Sequence, residues 1–117
     1  MYYLYLIQSP FGRPGFGIMQ TPKERNKQYC SHMGGIVNMR IYGGLRAHAK
    51  ALERTIKTQY IDNIWTIDDW ETEWLNDTVP MSQLQDYVEG LIKERHFRLK
   101  LIVPEWNFTQ GNIEETI

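Results

Sequence analysis

Tyr2-Tyr3-Leu4-Tyr5-Leu6-Ile7-Gln8, closed by Ser9-Pro10, and Gly15-Phe16-Gly17-Ile18-Met19-Gln20 are two apolar runs of strand length near the start of the chain. The first has the tyrosine, leucine and isoleucine content of a buried strand. Gly12 and Pro14, both turn formers, lie between the two runs, so the pair predicts a β-hairpin. Thr21-Pro22-Lys23-Glu24 follows at once. Threonine can cap a helix, proline fits its first position and Glu24 stands where a capping box places an acid. A helix is therefore expected from Pro22 to about His32 or Met33, where Gly34-Gly35 supplies a stop.

Outward from this opening, Ile36 to Tyr42 predicts a third strand, followed by Gly43-Gly44. Leu45, Ala49, Leu52, Ile56 and Tyr60 fall on one helical stripe, as do Leu84, Tyr87, Val88, Leu91 and Ile92 after Pro80. Asp62 to Asp77, with Trp65, Trp70 and Trp74 among acids, reads as an irregular stretch with a short strand near Ile64 to Ile67. Leu99 to Val103 fits either a last strand or an extension of the preceding helix. The expected architecture is α+β, a small three-stranded, mostly antiparallel sheet flanked by helices. One domain would span residues 1–108 and end in a C-terminal helix, with a polar tail over 109–117.

At 117 residues with 42% hydrophobic and 23% charged content, the chain has room for one core. The longest uninterrupted aliphatic and aromatic stretches fall far short of the roughly 20 residues a membrane span needs, which predicts a soluble, cytoplasmic protein. The single cysteine, Cys30, offers neither an internal disulfide nor a cysteine-rich metal site. A net charge of −1 excludes a generic polycation, but phosphate binding depends on a local basic face.

Two sets of residues can carry chemistry. Arg25, Tyr29 and His32, spaced i, i+4 and i+7 on the first predicted helix, project from nearly one face. Such a face can grip a phosphate through the guanidinium fork and offers two groups able to move a proton; it is equally an ordinary polar helix exterior. Glu53 borders the apolar stripe of the second predicted helix, where it can point into a cleft and hold a hard cation, or pair with Lys57 at i+4 as a surface ion pair. Lys23, Lys27, Lys50, Arg54 and Lys57, with Arg95, Arg98 and Lys100 further on, are candidate phosphate contacts or solvated charges. His48 reads as a surface residue, and Asp68, Asp69, Glu71 and Glu73 as a solvated acidic loop.

The order of these elements resembles the GIY-YIG nuclease family. Tyr3-Leu4-Tyr5-Leu6-Ile7 is similar to its first motif, with Tyr5 at the motif's tyrosine, and Gly15-Phe16-Gly17-Ile18 to its second. Thr21 to Arg25, continuing into Tyr29, looks like the arginine helix, and Ala51-Leu52-Glu53 with Ile56-Lys57 like the glutamate helix. Thr72-Glu73-Trp74-Leu75 resembles a segment of some phage-associated branches. The chain departs from the pattern at Tyr3, which replaces a glycine, and at Gly15, which stands where a tyrosine is expected.

The resemblance implies hydrolysis of a DNA phosphodiester with one bound Mg²⁺ or Mn²⁺, leaving a 5′-phosphate and a 3′-hydroxyl. It makes Tyr5, Arg25, Tyr29, His32 and Glu53 the catalytic set, with Glu53 as the metal ligand, Arg25 on the non-bridging oxygens and Tyr5 orienting or deprotonating water. Tyr29 and His32 would relay the proton, and a phage or mobile-element origin is implied. Two other readings compete: a catalytically inactive DNA-binding module of the same fold, and a small interaction or inhibitor protein that uses exposed tryptophans as anchors.

Overall fold

The computed structural model describes residues 1–9, 12–21, 38–67 and 70–106. The helix expected from Pro22, with Lys23, Arg25, Lys27, Tyr29, Cys30 and His32, lies outside the described residues, as do Asp68, Asp69 and the tail.

β1 (Tyr2–Gln8) and β2 (Pro14–Met19) form the expected hairpin, with Tyr5 opposite Gly17 and Ile7 opposite Gly15. Its connection is held by a backbone bond from Ser9 N–H to the Arg13 carbonyl (2.9 Å) and by the Ser9 hydroxyl oxygen, which accepts from Arg13 N–H (3.0 Å). Gly12 takes φ +87° there, a conformation that costs a side-chain-bearing residue about 1–2 kcal/mol. β3 (Asn38–Gly44) pairs with the other edge of β1. α1 (Arg46–Gln59) follows, and a 3₁₀ turn (Ile61–Asn63) leads into β4 (Ile64–Ile67) and β5 (Trp70–Leu75). α2 (Met81–Glu94) and β6 (Leu99–Trp106) complete the described chain.

The class is α+β, but the sheet has six strands and not three, in the order β4-β5-β2-β1-β3-β6 with antiparallel pairings. Of the further strands, β4 lies where a short strand was expected, β6 takes the strand alternative for Leu99 to Val103, and β5 falls in the stretch expected to be irregular. In β6 the buried residues are Leu99, Val103 and Trp106, a spacing that imitates a helical stripe. Register shifts in its ladder with β3 produce that spacing in an extended strand. Pro104 is tolerated because β6 is at the edge of the sheet. The stretch read as irregular around Trp70 is β5, so Glu71 and Glu73 belong to a strand and not to an acidic loop.

The sheet has apolar residues on both faces, which is why β1 lacks alternation. On one face Leu4, Leu6, Phe16 and Tyr42 pack with Ala49, Leu52 and Ile56 of α1 and Leu84, Val88 and Leu91 of α2. On the other, Tyr5, Ile7, Met19, Met39, Ile41, Trp74, Val103 and Trp106 form a second buried cluster. Leu52 has no exposed surface, so its truncation to alanine would cost about 2–5 kcal/mol. No helix among the described residues is long and apolar enough to cross a membrane.

Candidate functional site

α1 is built from good helix formers, and its buried residues Ala49, Leu52 and Ile56 fix which side meets the sheet. At about 100° per residue, Arg46, Lys50, Arg54 and Lys57 then fall within an arc of roughly 80° on the outer flank. Arg54 and Lys57 are exposed and Lys50 is half-buried. Glu53 stands at the border between this basic stripe and the buried stripe, and is itself half-buried.

Glu53 and Lys57 open onto a cleft of about 160 Å³ whose other walls are Phe16 from β2, Ile64 from β4, and Thr72, Trp74 and Leu75 from β5. The β4–β5 wall is fixed by Thr72, whose hydroxyl donates to the Trp65 carbonyl (2.7 Å) while its oxygen accepts from Trp74 N–H (3.2 Å). Arg13, from the β1–β2 connection, lies 4.2 Å from the centre of the Trp65 ring. No group of three or more His, Cys, Asp or Glu gathers among the described residues. A single carboxylate in a half-open cleft nonetheless suits magnesium, which keeps several waters and completes its shell with substrate phosphate. Glu53 alone would leave a bound cation dependent on other groups for the rest of its shell, and the described residues do not form an all-protein cage.

Tyr5 lies on the other side of the sheet. It is 1% exposed and packs in the second cluster. Its ring covers Gly17, where an added Cβ would stand 2.3 Å from the phenol oxygen. Of the five residues expected to act together, Tyr5 and Glu53 are thus held on opposite faces, while Arg25, Tyr29 and His32 lie outside the described residues. Gly15 sits in a cross-strand row running Trp106, Met39, Ile7, Gly15, Trp74. The row belongs to Tyr5's face, and Trp74 is the direct partner of Gly15 on β5.

Two polar arrangements escaped the sequence. Arg40, on the helical face of β3, donates from Nε to the Tyr42 hydroxyl (2.8 Å) and from Nη1 to the Pro104 carbonyl (3.1 Å), and forms an ion pair with Glu89 of α2. The Tyr42 hydroxyl donates to the same Glu89 carboxylate (3.0 Å). Burial pushes the Tyr42 phenol up to about 12, against the opposing pull of Arg40. An arginine inside an apolar strand was the available signal, since a half-buried cation favours a partner. His48 is the second case: it is half-buried and not a free surface residue. Its Nδ1 accepts from Arg98 N–H (2.7 Å) and its ring leans on Phe97 (5.4 Å between centroids), tying α1 to the start of β6.

No protein-family model, curated protein or solved structure matches this chain.

Proposed function

We propose that the protein is a metal-dependent DNA endonuclease of the GIY-YIG type, acting in the cytoplasm of a host cell as a phage or mobile-element product. The observation that carries this reading is Glu53, a carboxylate set at the lip of a cleft and flanked along α1 by Arg46, Lys50, Arg54 and Lys57. An acid held at the edge of a cationic stripe is the arrangement a phosphodiester hydrolase needs, because the cations gather the polyanion and the carboxylate holds the dication beside one phosphate.

In this proposal Glu53 would hold Mg²⁺ or Mn²⁺, which would supply Lewis-acid stabilisation of the charge that develops on the phosphate. Lys57 lines the same cleft and would neutralise a non-bridging oxygen. Lys50 and Arg54 fix the position of the backbone without reading its sequence, a role also proposed for Lys23 and Lys27. Arg25 takes the phosphate, and Tyr29 and His32 handle the proton, as the resemblance implies. A role for Tyr5 in orienting water at Glu53 draws no support from its position across the sheet. The test is nicking of supercoiled plasmid by the purified chain with Mg²⁺, with Mn²⁺ and with chelator. Cleavage that chelator does not abolish would remove the metal dependence, and no cleavage with either metal would remove the enzyme reading.

A second reading, a DNA-binding module without activity, is favoured by one specific pair of facts: Gly15 occupies the second motif's tyrosine position and Tyr5 is separated from Glu53. It predicts salt-sensitive DNA binding with no cleavage. The reading as an interaction protein anchored by tryptophans draws no support from Trp74, which is buried in the sheet, or from Trp65, which is half-buried beside Arg13.

A further inference from the structure

At the N-terminal end of α1 the chain forms an open groove of about 690 Å³, lined by Met1, Gly43, Gly44, Leu45, Phe97 and Leu99 together with Arg98 and Lys100. An added Cβ at Gly44 would stand 1.9 Å from the Arg98 carbonyl oxygen, so the glycine lets β3 and the start of β6 meet closely beside the groove, whose apolar lining is Met1, Leu45, Phe97 and Leu99. Leu45 forms one lip, 48% exposed, at the N-cap of α1, where a polar residue would normally cap the helix.

The rim is cationic. Arg98 and Lys100 are exposed, and Arg46 stands with its guanidinium 5.5 Å from the ring of Tyr2, the residue paired with Gly44. Arg46 is also the first member of the basic stripe that continues through Lys50, Arg54 and Lys57 to the Glu53 cleft. From Arg46 to Glu53 the helix rises about 10 Å, which is the span of one to two nucleotides of extended single strand. An apolar trough with a cationic rim, joined by more cations to the Glu53 cleft, is complementary to a strand whose bases are unpaired: the trough takes the base face and the rim takes the phosphates.

We infer that this groove seats an unpaired base of the bound DNA, so that the substrate is a duplex carrying a single-stranded segment and not a uniform duplex. The inference rests on the DNA-endonuclease reading and names its substrate class. Leu45 and Phe97 provide the apolar contact, and Arg46, Arg98 and Lys100 hold the flanking phosphates.

The experiment is fluorescence anisotropy with Ca²⁺ in place of Mg²⁺, comparing a blunt duplex with the same duplex carrying an oligothymidine tail. The wild-type chain is expected to bind the tailed duplex about tenfold more tightly, the size of one stacked base. Leu45→Asn, which supplies a better helix cap and so protects the fold, is expected to abolish that preference and leave blunt-duplex affinity unchanged. Arg98→Ala with Lys100→Ala is expected to lower the salt slope for the tailed duplex by about 1–2. Equal affinity of the wild type for the two duplexes, or a preference that survives Leu45→Asn, would overturn the groove assignment while leaving the endonuclease reading in place. Failure to bind either duplex would overturn both. Binding to phosphatidylserine vesicles that Leu45→Asn removes, without any tail preference, would give the groove to a lipid surface and overturn the assignment as well.

Discussion

Tyr5 on β1 and Glu53 on α1 are separated by the thickness of the sheet. Tyr5 packs over Gly17 with Ile41 and Val103, and Glu53 stands on the helical side with Phe16, Ile64 and Lys57. The separation follows from strand parity, because Leu4 and Leu6 must face the helices and their neighbour Tyr5 must then face away. Chemistry centred on Glu53 is therefore expected to depend on the two residues very unequally. Glu53→Gln keeps size and helix propensity, and should lower plasmid nicking by orders of magnitude while DNA binding and the unfolding midpoint stay near wild type. Tyr5→Phe should change nicking by less than about threefold, its phenol being across the sheet from the metal ligand. Nicking rates of the two variants check this; equal large losses would place both residues in one reaction and overturn the Glu53-centred site.

The cationic stripe on α1 predicts a measurable salt effect. Replacing Lys50 and Arg54 together by alanine should lower the slope of log affinity against log salt for duplex DNA by about 2, and weaken binding similarly for unrelated sequences. Neither side chain belongs to the buried core, so circular dichroism should be unchanged. An unchanged slope would show that the polyanion does not lie along this helix.

Tyr42 predicts an alkaline transition. Its phenol is raised from about 10 to about 12 by burial, so the unfolded chain releases this proton before the folded one does. The contribution is present in full below pH ~10 and is lost as the pH rises through about 12. Urea midpoints should accordingly fall between pH 10 and 12, more steeply for the wild type than for Tyr42→Phe, which has no proton to lose there. Parallel profiles for the two proteins would contradict the assignment.

His48 carries a structural prediction. His48→Ala removes the acceptor for Arg98 N–H and the ring that leans on Phe97, and should lower stability by about 0.5–1.5 kcal/mol in urea unfolding. His48→Asn, which can still accept a hydrogen bond, should recover part of the loss. Full stability in His48→Ala would return this histidine to the solvated surface.

The sequence by itself determined the local elements whose signal is contained in a few consecutive residues. The β1–β2 hairpin follows from two apolar runs around Gly12 and Pro14, and both described helices follow from their 3.6-residue stripes, with Ala49, Leu52, Ile56, Leu84, Val88 and Leu91 buried as the stripes require. It also placed Glu53 at the edge of a buried stripe, where the structure finds it. Tertiary structure alone decided the width of the sheet, since β5 and β6 are held by partners distant in the chain, and in β6 the register shifts give buried spacings that imitate a helix. It alone decided the face on which Tyr5 lies relative to Glu53. Strand alternation says only that neighbouring residues point apart; which of the two faces receives α1 depends on the path of the whole chain. The links of Arg40 and Tyr42 to Glu89 and of His48 to Arg98 were hidden for the same reason, because they join residues 47 to 50 positions apart and no periodicity of a single element carries that information.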